Sequence, residues 1–344
     1  MNVFVTGGAG YIGSVCVEEL LDAGHTVTVF DNLSEGHRAA VDSRAAFLQG
    51  DLADPPGVAR ALKESGAAAV IHFAGNALVG ESMANPGKYF RNNVAGGINL
   101  LDAALAAGAR KFVFSSTCAT YGSPERVPMT EDLPQRPINP YGESKLMFER
   151  ILEWYRRAYG LRYAALRYFN AAGASQLNGE DHNPESHLLP RLLNALVNRT
   201  QRFVIHGDDY STPDGTCVRD YVHVLDIAEA HKLAMEALGE NPRQGAFNIG
   251  SSAGYSVRQV VDAAEEVTGR ALRFCVGPRR QGDPAILIAS HERLAQTLGW
   301  KPRYSNLRDI VQSAWAWKQM HPQGYIRTEA KEETIEFPIG ERGT

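Results

Sequence analysis

Tyr141 and Lys145 stand four residues apart in the string Tyr141-Gly142-Glu143-Ser144-Lys145. On a helix that spacing turns both side chains to one side. A free phenol ionises near ~10 and is a poor base at neutral pH. Bringing it to ~7 takes about 4 kcal/mol of preferential phenolate stabilisation. One ammonium plus a second positive charge in a partly dry site can supply that. Tyr141 would then be a general base of matched pKa. The plainer alternative is an i,i+4 pair on a solvated helix. Thr117 closes the apolar run Phe112 to Ser116. Its hydroxyl can hold the oxygen that Tyr141 deprotonates, and its alternative is a structural strand end.

The second positive charge has a source at the start of the chain. Val3-Phe4-Val5-Thr6 reads as a strand and runs into Gly7-Gly8-Ala9-Gly10-Tyr11-Ile12-Gly13. Val15, Val17, Leu20 and Leu21 follow at helical spacing until Gly24. Thr26 to Phe30 is the next strand and ends on Asp31. Gly7 permits the tight turn, Gly10 lets a pyrophosphate approach the backbone, and Gly13 lets the helix pack on the sheet. The helix start offers free N–H groups to phosphate. Asp31 is placed to accept from a ribose 2′-OH and would repel a 2′-phosphate, so the expected cofactor is NAD rather than NADP.

Strands are expected at Phe47-Leu48, Ala69 to Phe73, Lys111 to Phe114, Tyr163 to Tyr168 and Ala246 to Ile249. Helices are expected over 86–107 and 141–159, then 188–197, 256–268 and 307–320, with a strand over 202–206 and a strand and helix within 221–238. The alternation implies an α/β fold, a Rossmann-type doubly wound parallel sheet with a smaller α/β substrate domain on the C-terminal side. Residues 1–169, rejoined by about 221–249, form the expected dinucleotide domain. Residues 170–220 and 250–323 form the second, and 324–344 a tail.

With 344 residues, 44% of them hydrophobic, and a net charge of −4, nothing favours a nucleic-acid or membrane partner. No apolar run is long enough to span a bilayer and no signal-peptide layout opens the chain, so a cytoplasmic setting is expected. Cys16, Cys118, Cys217 and Cys275 are scattered. They read as reduced thiols rather than disulfides or zinc ligands, and no metal site is expected.

The Gly-x-x-Gly-x-x-Gly spacing with a later Tyr-x-x-x-Lys resembles the short-chain dehydrogenase/reductase superfamily. Over about 1–323 the chain is similar to the UDP-glucose 4-epimerase family of its extended branch. The strings that carry this are Asp31-Asn32-Leu33, His72-Phe73-Ala74-Gly75, Val79-Gly80-Glu81-Ser82, Asn139-Pro140-Tyr141-Gly142-Glu143-Ser144-Lys145, Arg167-Tyr168-Phe169-Asn170, Asp214 to Tyr221, and Arg279 to Asp283. The resemblance implies NAD contacts at Tyr11, Ile12, Asp31, Asn32, Leu33, Ser34, Glu35, Gly36, Asp51, Leu52, Phe73, Ala74, Gly75, Asn92, Lys145 and Phe169. It implies UDP-sugar contacts at Thr117, Tyr141, Asn170, His187, Leu188, Val204, Ile205, His206, Arg219, Arg280, Gln281, Gly282, Asp283 and Leu287. Arg219 and Arg280 suit a diphosphate clamp. A homodimer is implied through helices 86–107 and 141–159, whose apolar positions include Ile98, Leu101, Leu105, Leu146, Phe148, Leu152 and Trp154.

The implied reaction is reversible inversion at C4 of a UDP-hexose by transient oxidation, rotation and re-reduction. Ala77, His187 and Leu287 depart from the family's familiar bacterial pattern, where lysine, asparagine and a tyrosine gate stand. The Leu287 gate leaves N-acetylated UDP-sugars open, and Thr120-Tyr121 resembles pentose-using relatives. A nucleotide-sugar 4,6-dehydratase is the nearest rival. It places an acid directly after the threonine, where this chain has Cys118 and Ala119. A non-catalytic NAD-sensing relative would be expected to lose Tyr141 or Lys145.

Overall fold

The structure is a computed structural model that describes residues 1–198, 202–239, 245–280 and 282–325. The first half runs β1 (Asn2–Thr6), α1 (Tyr11–Asp22), β2 (Thr26–Asp31), β3 (Ala46–Gln49), α2 (Pro55–Ser65), β4 (Ala69–His72), α3 (Val79–Ala84), α4 (Pro86–Tyr89), α5 (Gly97–Ala106), β5 (Lys111–Thr117), α6 (Pro140–Tyr159) and β6 (Arg162–Tyr168). The second half runs β7 (Asn170–Ala172), α7 (Leu188–Val197), β8 (Phe203–His206), β9 (Val218–His223), α8 (Val224–Ala237), β10 (Gly245–Ile249), β11 (Gly254–Ser256), α9 (Val257–Thr268), β12 (Phe274–Gly277), β13 (Ile286–Leu287), α10 (Glu292–Leu298) and α11 (Leu307–Met320).

Seven strands form one parallel sheet in the order β10-β6-β5-β4-β1-β2-β3. Its strands are apolar runs because helices cover both faces. Val15, Val17 and Leu20 of α1 and Ile227, Ala230 and Ala234 of α8 fill one face. Leu62 of α2, Leu100 of α5, and Phe148 and Leu152 of α6 fill the other. Strand order reverses between β1 and β4, which opens a crevice beyond their carboxyl ends. Thr6 and His72 end these strands and share a 2.7 Å hydrogen bond below it. Burial pushes His72 down to about 3, so it stays neutral there.

The second half adds a smaller sheet in which β9 pairs with β7, β11 and β13. A separate pair joins β8 to β12. Helices α7, α9 and α11 pack together over this part through Leu192, Val260 and Ile310. Helix α9 starts on a capping box between Ser256 and Gln259.

Several local expectations change. The helix expected over 86–107 is helical throughout but contains a π segment, Phe90–Gly96. That wide turn rotates Asn93 and Val94 into the protein. Helices α2, α3 and α10 escape a periodicity reading, α2 and α3 because Gly and Pro interrupt them and α10 because it is short. Within the segment expected as a tail, 324–344, the structure describes only the first two residues. Tyr325 is buried, its hydroxyl donates to Asn178 Oδ1 at 2.7 Å, and its ring stacks on His37. The remainder of that segment, 326–344, lies outside the described residues.

The apolar positions proposed for a dimer face are mostly internal. Leu101, Leu146, Phe148 and Leu152 are buried within the chain, whereas Ile98 and Leu105 are half-buried and Trp154 is 65% exposed. One long helix presents both faces, and the sequence pattern alone did not distinguish them. Among the described residues, no helix is long and apolar enough to cross a membrane.

Candidate active site

The glycine turn after β1 forms a cradle. Gly7 holds φ at 72°, and a Cβ there would collide with the Ala74 backbone. A Cβ on Gly13 would strike the Gly7 carbonyl. Gly10 begins α1 and no side chain caps the helix, so its first N–H groups face the crevice unclaimed by a side chain. Asp31, at the end of β2, accepts from Ala9 N at 3.0 Å and from Leu33 N at 2.8 Å. Leu33 is held at φ 61°, a conformation unusual outside glycine, which folds the 31–36 loop around Asp31. Asn32 Nδ2 donates to Asp51 Oδ2 at 2.8 Å, tying this loop to the one after β3. Asn99 holds the Leu52 carbonyl at 2.8 Å. Phe73, Ala74 and Gly75 follow β4 directly, with Phe73 packed on His231. Small residues, free amides and one fixed carboxylate around one crevice fit a dinucleotide.

Helix α6 delivers Tyr141 and Lys145. Asn139 caps it by accepting from Gly142 N at 2.8 Å, and Pro140 occupies the first helical position. Gly142 passes so close to the Ala119 carbonyl that a side chain would not fit. This brings Tyr141 beside Thr117 and Cys118, whose groups influence its ionisation. The Tyr89 ring meets the Tyr141 ring edge-on at 6.4 Å.

Lys145 Nζ donates to the Ser115 carbonyl at 2.9 Å and lies over the Phe114 ring. It also approaches Gly75, where a Cβ would stand 3.3 Å from Nζ. Burial pushes the ammonium down to about 8. Burial also pushes the Tyr141 phenol up, Tyr168 adds to the rise, and the Thr117 hydroxyl opposes it. The depressed phenol was expected from the ammonium together with a second, bound positive charge, and the protein side chains without that charge leave it raised. One of the three Lys145 N–H donors goes to the Ser115 carbonyl, which fixes the ammonium in place and leaves its charge free to act.

Asn93, the neighbour of the expected Asn92, is the more buried of the two. Asn93 Oδ1 accepts from Asn76 N at 2.8 Å, and its Nδ2 donates to Asn76 O and Ser144 Oγ, each at 3.0 Å. It thus ties the 75–76 turn to α6 between the two catalytic candidates. Asn92 is half-exposed and donates to Asn93 Oδ1 at 3.0 Å. The adjacent Asn pair was the visible signal, and only the π turn decides which one faces in.

The expected sugar-nucleotide residues divide. Leu287 packs against the buried cluster that includes Tyr121 and Phe169, as does Cys118, the residue after Thr117. Leu287 also pairs with Arg219 between β13 and β9. Arg219 is buried and its guanidinium meets Asp283 at 2.5 Å. Arg280 is exposed, with Gly282 in the turn that follows, and Gln281 lies outside the described residues. Asn170 starts β7 and pairs with Tyr221. Val204 and His206 are half-buried on β8, but the Ile205 side chain is 1% exposed in the core with Leu192 and Val260. Strand alternation sets its side chain opposite those of Val204 and His206. Leu188 starts α7, and His187 before it turns Nδ1 to carboxylates, 2.8 Å from Glu180 and 3.0 Å from Glu185.

Residues 3–250 match the family profile described as "NAD dependent epimerase/dehydratase family". The chain belongs to this family. Within this family, the UDP-glucose 4-epimerase of Lacticaseibacillus casei is 50% identical over 327 residues, covering 94% of this chain and 99% of that one. The solved UDP-glucose 4-epimerase of Brucella ovis, in complex with NAD, is 46% identical with a TM-score of 0.89, over 91% of this chain and 97% of that one. That of Bifidobacterium longum, in complex with NAD+ and UDP, is 35% identical with a TM-score of 0.90, over 94% and 100%. Family membership accounts for the conjunction of glycine cradle, Asp31 and the Tyr141–Lys145 helix around one crevice.

Proposed function

We propose that this chain inverts C4 of a UDP-hexose, interconverting UDP-glucose and UDP-galactose with NAD held in the β1–β4 crevice. The observation that carries this reading is the convergence of Tyr141 and Thr117 at the end of β5, next to the glycine cradle. The named relatives over nearly the whole chain support it. NAD in the crevice supplies an acceptor, and afterwards a donor, for the hydride of C4. Thr117 holds the sugar O4, and Tyr141 takes its proton as the 4-keto sugar forms. Lys145 keeps positive charge next to the phenolate. The keto sugar turns about its link to the diphosphate and presents its other face, and Tyr141 returns the proton to O4. Arg219 and Arg280 bind the diphosphate while the sugar turns. We assign this sugar-nucleotide role to residues 170–220 and 250–323.

The 4,6-dehydratase reading fails on chemistry. Burial pushes the Cys118 thiol up to about 11, which makes it a poor proton donor at the position where elimination of water needs an acid.

Incubation with UDP-galactose, UDP-N-acetylgalactosamine and UDP-arabinose in turn tests substrate range. The hexose is expected to convert, and so is the acetylated sugar if Leu287, smaller than a tyrosine, stands at the gate beside it. No UDP-glucose formed from UDP-galactose by NAD-loaded protein would sink the reading. The chain also pairs with a second copy through the outer faces of α4–α5 and α6, around Ile98, Leu105 and Trp154. Sedimentation is expected to give a dimer mass, and Trp154→Glu a monomer. A monomeric wild type would remove this interface.

A further inference from the structure

A second cluster lies behind the cofactor crevice. The string Glu180-Asp181-His182-Asn183-Pro184-Glu185-Ser186-His187 folds so that Glu180, His182, Glu185 and His187 converge. One potential ligand atom from each lies within 4.8 Å of all the others. His187 Nδ1 is 2.8 Å from Glu180 and 3.0 Å from Glu185. His182 Nδ1 is 3.5 Å and 3.7 Å from the same two carboxylates. Four ligands held ~2.0–2.2 Å from a tetrahedral ion stand roughly 3.3 Å apart along each edge. The four histidine–carboxylate distances straddle that value, and the two remaining edges lie within 4.8 Å, so binding would draw the four ligands inward.

Two further observations point to a ligand. His182 Nδ1 is buried and has no hydrogen-bond partner among the described residues, although two carboxylates flank it. At 3.5 Å and 3.7 Å the two carboxylate oxygens stand too far for a good hydrogen bond, a spacing that ligands sharing one ion would also keep. The carboxylates of Glu180 and Glu185 are also both largely withdrawn from water, with side chains 8% and 12% exposed. Two like charges that close are costly unless a cation lies between them. A cavity of about 50 Å³ borders Glu180, His182 and Glu185, enough to admit an ion.

We propose that Glu180, His182, Glu185 and His187 bind one divalent transition-metal ion, with zinc the member that fits. Two neutral imidazoles and two carboxylates balance its charge, and nitrogen ligands favour it over calcium or magnesium. The ion has a structural task. Its segment is sewn to the cofactor side at separate points. Tyr11 OH donates to the Gly173 carbonyl at 2.6 Å, and its ring meets His182 edge-on. Glu18 accepts from Ser175 at 2.9 Å, and His37 Nε2 bonds the Asp181 carbonyl at 2.9 Å. A bound ion would lock the start of α7 against the glycine turn. The scattered cysteines give no hint of a metal site. The readable signal was Glu-x-His-x-x-Glu-x-His.

The test uses the full chain, stripped with dipicolinate, reloaded with zinc chloride and dialysed. About one zinc per chain is expected by elemental analysis. Cobalt loading is expected to give the intense visible bands of a tetrahedral ion, lost on adding zinc. His182→Gln and His187→Gln, each checked for native circular dichroism, are expected to lose most of the zinc. A variant that does not fold is replaced by Glu180→Gln, which keeps the shape of its side chain. Wild-type protein holding under a tenth of an equivalent overturns the proposal and leaves a cluster of protonated histidines paired with carboxylates. An octahedral cobalt spectrum, or zinc kept equally by the folded variants, overturns it as well.

Discussion

Tyr141→Phe is expected to lower turnover of UDP-galactose by roughly 10³-fold, the scale of removing a positioned general base. The substitution deletes one oxygen and keeps the ring that packs edge-on against Tyr89. Tyr141 is buried, so the phenylalanine occupies the same space without a polar group to satisfy. Stability and bound NAD are therefore expected to stay near wild type. Steady-state turnover, with the 260 nm absorbance of released dinucleotide as the control, measures both. Turnover above about a tenth of wild type would mean that another group moves the proton. Lost dinucleotide would mean instead that Tyr141 holds the cofactor.

Glu149→Ala is expected to cost about 3–5 kcal/mol of stability, the scale of breaking a buried ion pair. Glu149 of α6 meets Arg167 of β6 through two hydrogen bonds, at 2.9 Å and 2.5 Å. Both side chains are largely buried, with 7% and 5% exposed. Glu149 also accepts from Ser116 Oγ at 2.5 Å, next to Thr117. Arg167 donates onward to Tyr121 OH, which donates to Asn248 on β10. Removing the carboxylate leaves a guanidinium without a counter-charge beneath the catalytic strand. Arg167→Met alone is expected to be similarly costly, and the double variant to recover much of the loss. Chemical denaturation of the three variants checks this. A Glu149→Ala loss below about 1 kcal/mol would show that water reaches Arg167 readily.

The local patterns of this chain carried much of the outcome by themselves. Val3 to Asp31 specifies strand, glycine turn, helix, strand and acid through neighbours a few residues apart, and the structure forms that unit. The same holds for Asn139-Pro140-Tyr141-Gly142, where cap, proline and glycine leave only one way for α6 to begin. What stayed hidden depends on partners far apart in the chain or on phase within one element. Asn92 and Asn93 look alike until the π turn sets which faces inward. Ile205 looks like Val204 and His206 in the sequence, and only the packing of α7 and α9 sets its side chain in the core. Leu101 and Leu152 resemble an interface until the sheet claims them. The Glu149–Arg167 pair joins elements whose contact no periodicity announces. Tyr141 shows the same division for chemistry. Helical spacing brings the phenol and the ammonium to one side, but burial moves the phenol up and sends Lys145 to the Ser115 carbonyl. Spacing is a property of the covalent chain, whereas burial and charge pairing exist only once distant segments exclude water together.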